Sequence, residues 1–243
     1  MTSSSQTLPS YEAIAGIIDH AILKPELTRA EVDEAIALAK KYQLFSLCVR
    51  PSDVPYVAES LADSGVKTIT VLGFPHGTTN TAGKVAELVQ ARRDGAVEFD
   101  MVINIGWVKS GLYDLVEADM RAVAVAAEGM LTKVILETSY LSDEEIVLAC
   151  QAAERAGINF VKTSTGFGGG GATIPHLKLM REAVGPQVQV KASGGIRTLE
   201  SVMEAMAVGV TRLGTSSSAA ILDDLSGRLR GEAPKTTDSS GGY

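Results

Sequence analysis

Eight short runs rich in β-branched residues alternate with longer amphipathic segments along this chain, and this alternation limits the folds open to it. The runs begin near residues 16, 45, 67, 98, 133, 159, 187 and 211. Successive runs start about 28 residues apart, close to the roughly 30 residues of one strand–helix–strand unit. The intervening segments have helical periodicity, as over residues 29–42, 81–93, 115–128 and 142–156. Two of these helices carry capping-box spacing at their starts, at Thr28 with Glu31 and at Ser142 with Glu145.

Eight strand–helix units within 243 residues predict an α/β fold, a single (β/α)8 TIM barrel. A doubly wound sheet is the alternative, but no GxGxxG motif follows the first strand, which disfavours it. We expect residues 1–230 to form one catalytic barrel domain. Residues 231–243, GEAPKTTDSSGGY, are small and polar, and we expect them to form a flexible C-terminal tail.

Charge and composition exclude several classes of function. The formal net charge is −7, which argues against binding to nucleic acid, because that requires a basic face. No run approaches the ~18 consecutive apolar residues of a membrane span. The N-terminal residues lack the basic region of a targeting signal. Cys48 and Cys150 have neither disulfide-framework nor zinc-site spacing, so we expect a reduced, cytoplasmic protein.

Polar side chains fall on one face of the fourth to seventh predicted strands. Successive side chains of a strand point to opposite faces, so parity assigns each residue to a face. Apolar residues such as Met101 and Val134 suit the face that packs against the helices. The other face should point inward near the barrel mouth, and it carries Asp100, Asn104, Lys133, Glu137, Lys162 and Lys191.

The inward set includes two lysines on neighbouring strands, Lys162 and Lys191, and their presence raises the question of a catalytic role. Buried charges are costly unless paired, so one interpretation is a structural ion-pair network across the barrel floor. Repulsion between like charges, however, lowers the pKa of a lysine and leaves the neutral amine that a Schiff-base nucleophile requires. A carboxylate such as Asp100 would keep the second lysine charged and share its proton. We therefore interpret the set as catalytic.

The loops after the seventh and eighth strands have the composition of an anion site. They contain SGG at residues 193–195 and GTSSS at residues 214–218, which offer backbone N–H groups and hydroxyl donors. This is the usual phosphate position on a (β/α)8 barrel. The alternative is two ordinary turns, with Ser217 or Ser218 as a helix N-cap. The three histidines lack metal-ligand spacing, so we expect polar packing or surface roles for them and no metal site.

Several strings in this chain resemble those of the deoxyribose-phosphate aldolase family (DeoC family). They are IDHAILKP (18–25), GFPHG (73–77), EFDMVINIG (98–106), VKTSTGF (161–167), VKASGGIRT (190–198) and GTSS (214–217). The resemblance covers about residues 14–222, and the two lysine motifs are its most specific part. It departs from the family at residues 168–171, where the chain has four glycines, and at Ser218, where many members have glycine.

The resemblance implies a class I aldolase that needs no cofactor or metal. Such an enzyme reversibly cleaves 2-deoxy-D-ribose 5-phosphate to D-glyceraldehyde 3-phosphate and acetaldehyde, in deoxyribose catabolism. Lys162 matches the Schiff-base lysine, Lys191 the second lysine that perturbs it, and Asp100 the proton-relaying aspartate. The resemblance also implies that Gly194, Gly195, Ser216 and Ser217 contact the phosphate of the substrate. Tyr243 matches a C-terminal tyrosine that enters the site, and family members are often homodimers or homotetramers.

Two other functions stay open from the sequence. One is a related Schiff-base aldolase that acts on another sugar phosphate, since loops decide the substrate. The other is a catalytically silent sugar-phosphate-binding barrel. The complete set of Lys162, Lys191 and Asp100 disfavours the second function, because a sensor has no need of a nucleophile.

Overall fold

Eight parallel strands close into one barrel in the computed structural model, which describes residues 8–234. Their order around the barrel follows the chain, and the last strand pairs with the first. This confirms the predicted (β/α)8 barrel. The strands are β1 Ile18–Ile22, β2 Ser46–Val49, β3 Lys67–Leu72, β4 Glu98–Val102, β5 Leu131–Ile135, β6 Phe160–Lys162, β7 Gln189–Ser193 and β8 Val210–Thr215.

Helices connect the strands and surround the barrel. They are α1 Tyr11–Ala15, α2 Arg29–Tyr42, α3 Val54–Leu61, α4 Thr81–Arg93, α5 Ile105–Lys109, α6 Tyr113–Ala126, α7 Asp143–Ala156, α8 Ile174–Ala183, α9 Leu199–Ala207 and α10 Ser218–Leu229. Short 3-10 turns lie at Pro51–Asp53 and Thr138–Tyr140. Both predicted capping boxes are formed, at Thr28 and at Ser142. Within residues 8–234, no helix combines the length and apolarity that crossing a bilayer requires.

The main apolar core lies between the strands and the helices. Outward-facing residues of the central strands, including Met101, Val134, Val161 and Val190, are fully buried in it. Their burial against helices leaves the alternate residues of the same strands inside the barrel. A smaller apolar cluster of Leu23, Cys48, Ile69 and Val71 belongs to the first three strands and their loops. The barrel interior is thus apolar near β2 and β3 and charged near β4–β8 and at Asp19 of β1.

A buried ion pair outside the barrel joins α4, α6 and the end of β4. The Lys84 Nζ lies 2.6 Å from Asp119 Oδ2 and donates to the Val102 carbonyl at 2.9 Å. Thr81 Oγ1 donates to the other Asp119 oxygen at 2.7 Å. Both charged side chains are almost completely buried. Removing one partner would therefore leave the other as an unpaired buried charge.

We expect Lys84→Met to lower the free energy of unfolding by about 3–5 kcal/mol, the usual cost of breaking a buried pair. The double variant Lys84→Met/Asp119→Leu should recover most of that loss, because no charge is left unpaired. Urea titration followed by circular dichroism measures both. Lys109→Met is the matched control: its pair with Glu145 is half-exposed, so its loss should be at most about 1 kcal/mol. Equal losses in Lys84→Met and Lys109→Met would contradict the prediction.

Candidate active site

The strand register brings the predicted catalytic residues together. Lys162 of β6 is the direct partner of Lys191 of β7. Asp100 of β4 is the partner of Lys133 of β5. Their side chains point into the barrel, and each is at most 3% exposed. Four of the six residues assigned to the inward face by parity therefore form one buried cluster.

The carboxylate of Asp100 is the centre of this cluster. Its Oδ2 lies 2.9 Å from Lys162 Nζ and 2.8 Å from Lys191 Nζ, and its Oδ1 accepts from Lys133 at 2.8 Å. Burial opposes ionisation of Asp100, but the three ammonium groups outweigh burial and hold its pKa well below the ordinary value. One oxygen thus links the two lysines, so a proton leaving Lys162 has an acceptor within hydrogen-bond distance.

A second layer of charge supports the cluster, and the sequence analysis did not identify it. Lys191 Nζ also lies 2.5 Å from Asp19 Oδ2, and Lys133 Nζ lies 2.7 Å from Glu98 Oε2. Arg212 bridges these two carboxylates, at 3.1 Å from Asp19 and 2.9 Å from Glu98. This is the structural ion-pair network considered as an alternative for the inward charges. It coexists with the lysine pair and holds it in place.

The charge count of the buried cluster identifies the lysine that gives up its proton. Three carboxylates face four basic groups: Asp19, Glu98 and Asp100 against Lys133, Lys162, Lys191 and Arg212. Charges balance when one basic group is neutral, and an arginine cannot be that group. Lys133 and Lys191 each contact at least two carboxylates, whereas Lys162 contacts one. Lys162 therefore loses the fewest ion pairs when it is neutral, so its neutral form costs the least free energy.

The pKa directions of the two lysines agree with this assignment. Burial is the largest influence on Lys162 and lowers its pKa; Asp100 opposes the shift and the charge on Lys191 adds to it. Burial also acts to lower the pKa of Lys191, but Asp100 and Asp19 together outweigh burial and raise it. Like-charge repulsion, expected from the sequence as the main cause for Lys162, is thus secondary to desolvation. The pKa values of the two lysines are thus shifted in opposite directions, that of Lys162 downwards and that of Lys191 upwards.

The other two residues of the inward set, Asn104 and Glu137, lie just past the ends of their strands. Asn104 caps α5, and its side-chain oxygen accepts from the Trp107 backbone N–H at 3.1 Å. Glu137 has a left-handed backbone, with φ of 55°, and its carboxylate accepts from the backbone N–H and hydroxyl of Thr165. Strand β4 ends at Val102 and β5 ends at Ile135. Beyond those points the period of two no longer determines direction, so the inward direction of these two residues stays a prediction; Glu137 does interact electrostatically with Lys162.

The two predicted phosphate loops line one cavity with Lys162. Its walls include Thr165, Ser193, Arg197 and the four residues expected to bind phosphate, Gly194, Gly195, Ser216 and Ser217. Gly194 and Gly195 both have positive φ, and a side chain on Gly194 would meet Gly171 at 2.9 Å. Backbone N–H groups close to an open cavity are a general anion-binding arrangement. The cavity therefore has a wall of a composition suited to an anion, beside the candidate nucleophile.

The two cysteines do not line this cavity, although Cys48 interacts electrostatically with Asp100 and both lysines. Cys48 and Cys150 are free and buried. No group of three His, Cys, Asp or Glu side chains suited to a metal ion occurs within residues 8–234. Tyr243 lies outside the described residues.

A (β/α)8 barrel with two buried lysines on one carboxylate, beside a cavity lined by glycine- and serine-rich loops, is the arrangement expected of a class of enzymes, the barrel aldolases. The DeoC/LacD family aldolase model matches residues 14–221, and the chain belongs to this family. The deoxyribose-phosphate aldolase of Staphylococcus haemolyticus (strain JCSC1435) is 51% identical over 87% of this chain and 96% of its own length.

Solved structures show the same relationship. The structure named "QR15, an Aldolase" superposes with a TM-score of 0.85 at 38% identity, over 89% of this chain and 98% of that one. The tetrameric deoxyribose phosphate aldolase of Aeropyrum pernix superposes with a TM-score of 0.83 at 29% identity, over 89% of this chain and 92% of that one.

Proposed function

We propose that the chain cleaves 2-deoxy-D-ribose 5-phosphate reversibly to D-glyceraldehyde 3-phosphate and acetaldehyde, as a class I aldolase with Lys162 as the Schiff-base nucleophile. The observation that carries this proposal is the position of Lys162. It is a buried amine of lowered pKa, hydrogen-bonded to Asp100, on the wall of a cavity lined by two glycine- and serine-rich loops. The identity to named deoxyribose-phosphate aldolases over most of the chain supports the same substrate.

In this proposal, neutral Lys162 attacks the C1 aldehyde carbon of the open-chain sugar to form a carbinolamine. Charged Lys191 gives a proton to the carbinolamine hydroxyl, which leaves as water, and an iminium remains. The iminium accepts the electron pair of the C2–C3 bond as the C3 hydroxyl proton returns to the Lys191–Asp100 pair, through a water molecule. Glyceraldehyde 3-phosphate leaves, the enamine takes that proton at C2, and water releases acetaldehyde. Covalent catalysis of this kind replaces one difficult carbanion step by easier ones.

The proposed roles follow from the contacts. Lys191 and Lys162 share Asp100 Oδ2, so proton transfer between them needs no movement of the backbone. Asp19 and Asp100 hold Lys191 charged until the hydroxide departing from the carbinolamine takes its proton as the C–O bond breaks. Gly194, Gly195, Ser216 and Ser217 would hold the substrate phosphate at the wall of the cavity that they line.

Borohydride trapping with 2-deoxy-D-ribose 5-phosphate, followed by peptide mass mapping, tests the proposal. We expect two reduced adducts on Lys162, one with the whole sugar phosphate and one with only the two carbons left after cleavage. A sugar adduct without the two-carbon adduct would indicate binding without turnover, as in a silent sensor. Adducts and turnover only with a different sugar phosphate would assign the chain to a related aldolase.

We propose further that the chain works in the cytoplasm as a homodimer or homotetramer. Its buried free cysteines support a reducing compartment. The tetramer formed by the Aeropyrum pernix enzyme supports an oligomer. Light scattering coupled to size-exclusion chromatography would give the mass, and a monomer at micromolar concentration would contradict this part. Entry of Tyr243 into the site also stays a prediction, tested by the turnover of Tyr243→Phe.

A further inference from the structure

A buried histidine outside the charged cluster touches the helix that follows the second phosphate loop. His20 lies on β1 next to Asp19, and neighbouring residues of a strand point to opposite faces. Asp19 points into the barrel, so His20 points away from it. Its Nδ1 lies 2.8 Å from the hydroxyl of Ser218, which is the first residue of α10. His20 is 5% exposed and Ser218 is completely buried, so water competes little for this bond.

Ser218 directly follows Ser216 and Ser217, two of the residues proposed to hold the phosphate. Other bonds fix the loop before them: Thr215 Oγ1 donates to the Ile196 carbonyl at 2.5 Å and accepts from the Ser217 N–H at 2.9 Å. The first bond ties this loop to the other phosphate loop, and the second closes the turn within it. The His20–Ser218 bond ties its exit to the barrel wall. The loop is thereby anchored on both sides of the two serines.

Anchoring matters here because an anion-binding loop gains affinity from being ordered before the ligand arrives. A loosely held loop loses conformational entropy at each binding event. Its hydrogen-bond donors also meet the phosphate in a less favourable geometry. The Ser217 N-cap has no side-chain cap bond of its own to hold this end of α10. The contact between Ser218 and His20 therefore fixes this end of the loop.

We infer that His20 is a positioning residue for the phosphate loop, and that through Ser218 it sets the preference of the site for phosphorylated over unphosphorylated sugars. This inference rests on the proposed function. His20 acts by position and not by charge, since burial lowers its pKa to about 4 and the ring is neutral near pH 7. A neutral imidazole and a hydroxyl each have a donor and an acceptor, so the bond forms in either direction.

The experiment compares His20→Leu, His20→Asn and Ser218→Ala with the unchanged chain. Each is assayed with 2-deoxy-D-ribose 5-phosphate and with 2-deoxy-D-ribose. We expect His20→Leu and Ser218→Ala each to lower kcat/KM for the phosphorylated sugar about tenfold, the usual effect of losing one buried hydrogen bond. The change should appear as a higher KM. Both should leave kcat/KM for the unphosphorylated sugar within about twofold. His20→Asn, whose amide replaces Nδ1, should recover most of the preference.

Two further results complete the test. The double variant His20→Leu/Ser218→Ala should be no worse than either single variant, because both remove the same bond. A merely structural role would lower kcat/KM for both sugars alike, and that result, or an unchanged ratio in Ser218→Ala, overturns the inference. Ser218→Ala is a small deletion, so it decides the matter even where His20→Leu does not fold. An unchanged chain that cleaves neither sugar overturns the proposed function instead.

Discussion

Replacing Lys162 with methionine should lower turnover of 2-deoxy-D-ribose 5-phosphate by at least about 10³-fold, as removal of a covalent nucleophile does in other enzymes. Methionine keeps the unbranched shape of the side chain and removes only the amine. The buried cluster then has three carboxylates and three basic groups, all paired, so we expect the fold to survive. Initial rates measured by coupled detection of glyceraldehyde 3-phosphate, with circular dichroism as a check of folding, give the result.

The matched control is Lys178→Met, which removes an exposed lysine of α8 and should retain full activity. Borohydride trapping of the same proteins separates the roles of the two buried lysines. The adduct should disappear in Lys162→Met and persist in Lys178→Met. An adduct that persists in Lys162→Met and maps to Lys191 would reverse the assignment of the nucleophile.

The fold was predictable because its signal repeats eight times. Each strand–helix unit must cover the strand with apolar residues and cap its helix, and both requirements appear in the local sequence, as at Thr28 and Ser142. Within the strands, the alternation of side chains also predicted the inward face correctly, because the local sequence marks the apolar outward face. Lys162 and Lys191 are flanked by fully buried apolar neighbours such as Val161 and Val190, so their inward direction was unambiguous.

The rest of the site depends on information that a strand pattern does not contain. Asn104 and Glu137 lie past the ends of their strands, where a helix cap and a left-handed backbone set the direction of the side chain. Asp19 and Arg212 were missed because their strands carry other polar residues, such as His20 and Thr211, on the opposite face. Only the pairing of neighbouring strands shows that these residues belong to the site: Arg212 is the partner of Lys191.

Replacing Lys191 should lower turnover by about 10²–10⁴-fold and also move the pH dependence of the reaction. The reaction requires neutral Lys162, so its rate rises with pH as that amine loses its proton. The charge on Lys191 lowers the pKa of Lys162 and thus favours the neutral form. In Lys191→Met this influence is lost while Asp100 stays as an acceptor for Lys162. The pKa of Lys162 should rise, and the acid limb of the pH–rate profile should move to higher pH.

Lys191→Arg distinguishes the two functions of this residue. An arginine keeps the positive charge between Asp19 and Asp100, so the acid limb should stay near that of the unchanged chain. Its guanidinium does not release a proton in proteins, so turnover should still be low. Imine formation followed against pH by borohydride trapping reports the state of Lys162 directly. An acid limb that stays in place in Lys191→Met, or moves to lower pH, would show that Lys191 does not control the charge of the nucleophile.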